Sequence, residues 1–80
     1  MTPHVKIYLD YFDLTPDDFC RCEACGGKGV DIHHILGRGK GMDVISNLAA
    51  LCRDCHNRCH NEEIKRHEMQ KIHFKYLMQH

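Results

Sequence analysis

Two kinds of side chain in this sequence can do chemistry, and each comes as a spaced set. Cys22 and Cys25 form one Cys-x-x-Cys, and Cys52 and Cys55 form a second, with 26 residues between the pairs. A tight turn lets each pair present both sulfurs to one ion, and two pairs complete the tetrahedron of a structural Zn²⁺. The span between them is longer than in a minimal zinc ribbon and leaves room for a strand, a loop and a turn. Disulfides are the alternative, but they belong to oxidising compartments. The N-terminus carries no basic-then-apolar segment, so a cytoplasmic, reducing location and a metal are expected. Cys20 and Cys59 fall outside the pattern, and spare cysteines are ordinarily small buried hydrophobes.

The second set is imidazole. "DIHHI" (Asp31–Ile35) places His33 beside His34, and "CHNRCH" places His56 four residues before His60. Residues four apart share a helix face and can bind one ion. They do not complete a C₂H₂ finger, which needs about twelve residues between its second cysteine and first histidine. Cys55 and His56 are adjacent, and the corresponding position after Cys25 is Arg38. The histidines therefore form a second site, apart from the thiols.

The elements that must position these sets follow from local pattern. "VDIHHIL" reads as a strand, preceded by a turn at Gly26–Gly29 and followed by a flexible, basic loop, "GRGKG", Gly37–Gly41. "NLAAL" leads into a helix from about Asp54. The tail, about 62–78, lacks Gly and Pro and reads as a helix with Met69, Ile72 and Tyr76 on one stripe. "VKIYLDYF" (Val5–Phe12) is rich in β-branched and aromatic residues and suits a strand, with a short helix as the alternative. "TPDD" resembles a helix start, with Thr15 as N-cap, Pro16 at the first position and Asp18 closing a capping box. The fold class expected is α+β, a single domain over residues 1–80.

Size and charge bound the rest. Eighty residues bury a modest core and often need a staple. No run is long enough to span a membrane. The formal net charge is zero, but residues 1–23 hold two Lys or Arg against five acids, whereas residues 24–80 hold nine against six. The histidine-bearing part is the basic part, which is compatible with a phosphate-bearing partner.

The order "VDIHHI … NLAALCRDCH", framed by paired Cys-x-x-Cys, resembles the HNH endonucleases, also called ββα-metal or His-Me finger nucleases. The resemblance covers about residues 22–60. It implies a zinc-stapled ββα-metal domain with an added C-terminal helix, acting on DNA and leaving 3′-hydroxyl and 5′-phosphate ends. By position, His34 matches the general base and Asn47 the residue that pins the loop and orients it. His33 and His56 match ligands of one catalytic divalent metal, and His60 an additional ligand used in colicin-type DNases. The chemistry agrees. A histidine with a pKa near 6.5 can take a proton from water at neutral pH. A cation on His33 and His56 can neutralise the phosphate and the leaving 3′ oxygen. Adjacent strand residues point to opposite faces, which lets His33 bind metal while His34 stays free. Imidazole ligands favour Mn²⁺, Ni²⁺, Co²⁺ or Zn²⁺ over Mg²⁺, while family members often work with Mg²⁺.

Arg38, Lys40, Arg53 and Arg58 flank the set as candidate phosphate contacts. Lys65, Arg66, Lys71 and Lys75 are expected on a solvated helix face, and His4, His67, His73 and His80 in solvent. The last helix can pack on the zinc knuckle or on a second copy of the chain, and no separate sequence-reading domain is evident, so the expectation is either nicking with little specificity by the module alone or direction by a partner protein. The rival expectation is a non-catalytic zinc module that binds nucleic acid or protein; it would keep the four cysteines without needing His34 or Asn47.

Overall fold

A computed structural model describes residues 2–80. Among them the chain forms helix α1 (Pro3–Tyr11), strand β1 (Asp31–His34), a 3₁₀ turn (Ile45–Asn47), strand β2 (Leu48–Leu51), helix α2 (Arg53–His60) and helix α3 (Arg66–Gln79). This is the α+β arrangement expected: a two-stranded hairpin, a helix, a cysteine cluster and a C-terminal helix.

The hairpin is what separates the two chemical sets. β1 and β2 pair antiparallel, with Asp31 opposite Leu51, Ile32 opposite Ala50, His33 opposite Ala49 and His34 opposite Leu48. Residues opposite each other share a face and successive residues alternate. Asp31, His33, Ala49 and Leu51 therefore look to one side, and Ile32, His34, Leu48 and Ala50 to the other. β2 is buried on both faces. Ala49 and Leu51 pack with Cys22, Ile35, Cys55 and Met69, while Leu48 and Ala50 pack with Tyr8 and the partly covered Ile32 and Phe12. Two small cores, one on each side of a thin hairpin, replace a single large one. Small residues let other segments approach: a Cβ at Gly29 would meet the Cys20 carbonyl oxygen at 3.1 Å and the Ala50 Cβ at 3.2 Å.

The segment Val5–Tyr11 is helical, with Phe12 as its C-cap, so the helical alternative holds and the strand-like composition is overridden. Pro3 opens α1, where a missing N–H costs nothing. Tyr8 and Leu9 are buried, with Phe12 packed a turn later, a helical stripe rather than a strand alternation. "TPDD" does not start a helix. Only half of the capping box forms: Asp18 Oδ2 accepts from the Thr15 N–H at 2.7 Å, while the Asp18 N–H bonds the Thr15 backbone carbonyl at 3.0 Å rather than the Thr15 side chain, and the two bonds close one turn only. The chain then leaves through Phe19, 63 % exposed, into the Arg21–Lys28 bridge that frames the first cysteine turn.

A buried polar clasp ties the outer helices to the hairpin. The Glu23 carboxylate accepts from Tyr8 Oη at 2.6 Å, from the Ala50 N–H at 3.3 Å and from His73 Nδ1 at 2.7 Å. His73 Nε2 meets the Ile45 carbonyl at 2.6 Å. Both ring nitrogens thus face acceptors, an arrangement that only a doubly protonated imidazole satisfies. Burial opposes that charge, but Glu23 and the Ile45 carbonyl outweigh it and hold the His73 pKa above its ordinary value. His73 is therefore fully buried, not in solvent as its sequence context suggests.

Candidate metal and nuclease centre

The thiol set converges. The sulfurs of Cys22, Cys25, Cys52 and Cys55 all lie within 4.8 Å of one another, and Cys25 Sγ is 3.7 Å from Cys52 Sγ. A tetrahedral Zn²⁺ with bonds of about 2.3 Å puts its sulfurs about 3.8 Å apart, so the cluster fits a structural zinc. Two turns deliver it. In the first, the Gly26 N–H bonds the Cys22 carbonyl at 2.9 Å and Gly26 takes φ +82°, a conformation glycine adopts without strain. In the second, Cys52 caps α2, its Sγ accepting from the Cys55 N–H at 3.4 Å. Burial works against the Cys22 thiolate, but backbone N–H groups of Cys52, Cys25 and Ala24 bring its pKa down to about 7. Burial and the neighbouring sulfurs push Cys55 up instead. Four thiols this close cannot all ionise unless a cation compensates them. Cys20 and Cys59 stay outside the cluster as partly covered packing residues.

On the Asp31/His33 face, β1 meets α2. Ligand nitrogens of His33, His56 and His60 lie within 4.8 Å of one another, and the Nε2 atoms of His56 and His60 are 3.1 Å apart. At that distance two imidazole nitrogens share either a proton or a cation; tetrahedral bonds of about 2.0–2.1 Å require about 3.3–3.4 Å. Asp31 orients the set. Its Oδ2 lies 3.1 Å from His56 Nδ1, which directs Nε2 toward His60, and Arg53 holds the same carboxylate through Nε at 2.9 Å and Nη2 at 3.3 Å. A carboxylate behind a ligating histidine is the usual second support of a metal centre. Burial, with His56, His60, His34 and Arg66 nearby, pushes the His33 pKa down to about 4, so the ring is neutral and able to ligate. The sequence carried a signal for Asp31 that went unused: it stands two residues before His33 and so shares its strand face.

His34 lies on the opposite face and outside that trio. Its Nε2 is 2.8 Å from Asp43 Oδ1, and its ring centroid is 4.6 Å from that of His4 on α1. Its side chain is only 5 % exposed. Against a carboxylate that only accepts, Nε2 is the ring nitrogen placed to donate. His4 is not in solvent either. Burial lowers its pKa, helped by His34 and Arg38 and opposed by Asp43. Asn47, 4 % exposed, staples the intervening loop: Oδ1 accepts from the Leu36 N–H at 2.8 Å, and Nδ2 donates to the carbonyls of Gly37 at 3.2 Å and Met42 at 3.0 Å. The loop's sharp bends fall at Gly37, φ +95°, and Gly41, φ +79°.

A cavity of about 630 Å³ opens over this region and is bordered by His33, His34, His60, Lys65 and Arg66. Lys65 and Arg66 are exposed, as expected, and stand at its rim, at the start of α3. Among the four cations singled out by sequence, Arg38 borders a smaller hollow of about 270 Å³ with His4, His34 and Asp43. Arg53 is engaged by Asp31, and Lys40 and Arg58 are exposed away from both hollows. No described helix is long and apolar enough to cross a membrane.

The HNH endonuclease family model matches residues 22–62, the span that holds both cysteine pairs and all of the imidazoles just described except His4 and His73. No curated protein and no solved structure matches the chain.

Proposed function

The chain belongs to the HNH endonuclease family, and from that premise we propose that it is a metal-dependent endonuclease that hydrolyses DNA phosphodiester bonds. One observation carries the reading. His33 and His60 belong to the imidazole cluster and His34 does not, yet all three border one cavity. That arrangement supports giving cation holding and proton acceptance to different residues of one site. His33, His56 and His60 hold a divalent ion, with Asp31 and Arg53 fixing His56. Such an ion supplies charge neutralisation at the scissile phosphate and the leaving 3′ oxygen.

His34 takes the proton of the attacking water on Nδ1. Asp43 is a positioning residue that fixes the tautomer and favours the imidazolium that results. Asn47 holds the ends of the loop so that His34 and Asp43 keep their separation. Lys65 and Arg66 contact neighbouring phosphates from the cavity rim, with Arg38 on the other flank. The products are 3′-hydroxyl and 5′-phosphate ends. The chain acts as one domain in the reducing cytoplasm, where four thiolates keep their zinc.

The competing reading, a non-catalytic zinc module, draws on the low exposure of the His34 side chain. Plasmid nicking separates the two. Zinc-loaded protein with added Mn²⁺ or Mg²⁺ is expected to nick supercoiled DNA. His34→Ala, with zinc content and far-UV circular dichroism unchanged, is expected to lose at least about a hundredfold in rate, the ordinary worth of a general base. Equal nicking by that variant would overturn the assignment.

A further inference from the structure

We propose that His4, His34 and Asp43 form a second divalent transition-metal site, whose occupation switches off the base. Their ligand atoms lie within 4.8 Å of one another, with Nε2 of His34 and Oδ1 of Asp43 already 2.8 Å apart. Three separate elements converge to make the cluster: the first turn of α1, the end of β1 and the loop before the 3₁₀ turn. Two imidazoles and one carboxylate are a donor set that suits Zn²⁺, Co²⁺ or Ni²⁺ far better than Mg²⁺. The adjoining hollow of about 270 Å³ leaves room for a water as fourth ligand. His4 precedes the residues matched by the family model, so the site joins a segment outside that match to a residue within it.

The inhibitory consequence rests on reading His34 as the base; the metal site itself does not. In the metal-free cluster the proton sits on Nε2, against Asp43, and Nδ1 has the lone pair. Binding forms a metal–Nε2 bond, breaks the Nε2–H bond and places that proton on Nδ1. The ring stays neutral, Asp43 turns from hydrogen-bond acceptor to ligand, and the lone pair that would accept the water's proton is gone. Excess zinc would thus silence the nuclease without emptying its catalytic cluster.

Cobalt titration tests the site apart from activity. The protein is loaded with zinc at its four cysteines, and His33, His56 and His60 are replaced together by Ala, which removes the first imidazole cluster. Calorimetry and visible absorption with Co²⁺ alone are expected to find one further equivalent. Adding His4→Ala, or Asp43→Asn, which preserves shape and hydrogen bonding, is expected to weaken that binding at least about tenfold, since even supporting partners of a metal are worth that much. No Co²⁺ uptake by the triple variant, or uptake unaffected by both further changes, would overturn the site. In the otherwise wild-type chain, His4→Ala should raise the Zn²⁺ concentration that halves Mn²⁺-supported nicking; an unchanged value would overturn the switch. Co²⁺ binding in a protein that never nicks DNA would sink the nuclease reading and leave the metal site standing.

Discussion

Replacing His73 by Gln probes how far the residues outside the family match hold the site together. His73 and Glu23 have fully buried side chains 2.7 Å apart, and Glu23 also receives Tyr8 Oη and the Ala50 N–H. Removing the cation leaves a buried carboxylate with neutral partners only, which costs about 3–5 kcal/mol. Against a typical domain stability of about 5–15 kcal/mol, that is a large share. Tyr8→Phe removes one charge-assisted bond from the same carboxylate and should cost less, about 1.5–3 kcal/mol. Urea unfolding of zinc-loaded protein, followed by circular dichroism, measures both. The pH dependence has a definite sign. The folded pKa of His73 is raised, so its contribution is complete below the unfolded value near 6.5 and declines as pH rises through the folded value. The gap between wild type and His73→Gln should be widest below pH 6.5 and narrow above it. Zinc ligation has its own pH dependence, but it is common to both proteins and cancels in the difference. A gap under about 1 kcal/mol, the worth of one ordinary hydrogen bond, or a gap that widens with pH, would refute the clasp.

Three further outcomes are expected. Asn47→Ala should cost at least about 2 kcal/mol, because two backbone carbonyls and one N–H lose a buried partner, and amide exchange at Leu36 should accelerate; protection equal to wild type would contradict the staple. Arg66→Ala should weaken DNA binding by fluorescence anisotropy and flatten the salt dependence, log K against log salt, by about 0.9 for the lost phosphate contact. An unaltered slope would move Arg66 out of the interface. Cys22→Ser should lower zinc content and unfold the chain, since a structural zinc supplies about 10–16 kcal/mol of apparent binding energy; a cooperative melt without bound zinc would show that the two cores suffice alone.

The thiol and imidazole clusters were legible in sequence because coordination restricts both residue type and spacing. Two Cys-x-x-Cys turns and a pair of histidines one helical turn apart have few other uses. β1 was legible too, since Gly-rich turns bound it on both sides. What escaped has a common physical cause: it depends on contacts between segments distant in sequence. His73 has the local context of a solvated helix residue, and only the position of Glu23, fifty residues earlier, makes it a buried cation. His4 meets His34 only through the packing of α1, and Lys65 and Arg66 reach the cavity rim only through where α3 begins relative to α2. In α1, β-branched and aromatic residues suggested a strand, but Pro3 at the start and the Tyr8, Leu9 and Phe12 stripe outweighed that weak propensity. At "TPDD" the Asp18 carboxylate reaches the Thr15 N–H without a helix following, because a first turn propagates only with a buried face behind it.

The division of labour among the histidines is tested most directly by anomalous diffraction from zinc-loaded crystals soaked with one equivalent of Mn²⁺. A zinc peak is expected among the four cysteine sulfurs, and a manganese peak within bonding distance of His33, His56 and His60, with the ring of His34 outside its coordination sphere. Manganese bound through His34, or absent from the three imidazoles, would contradict the proposed site.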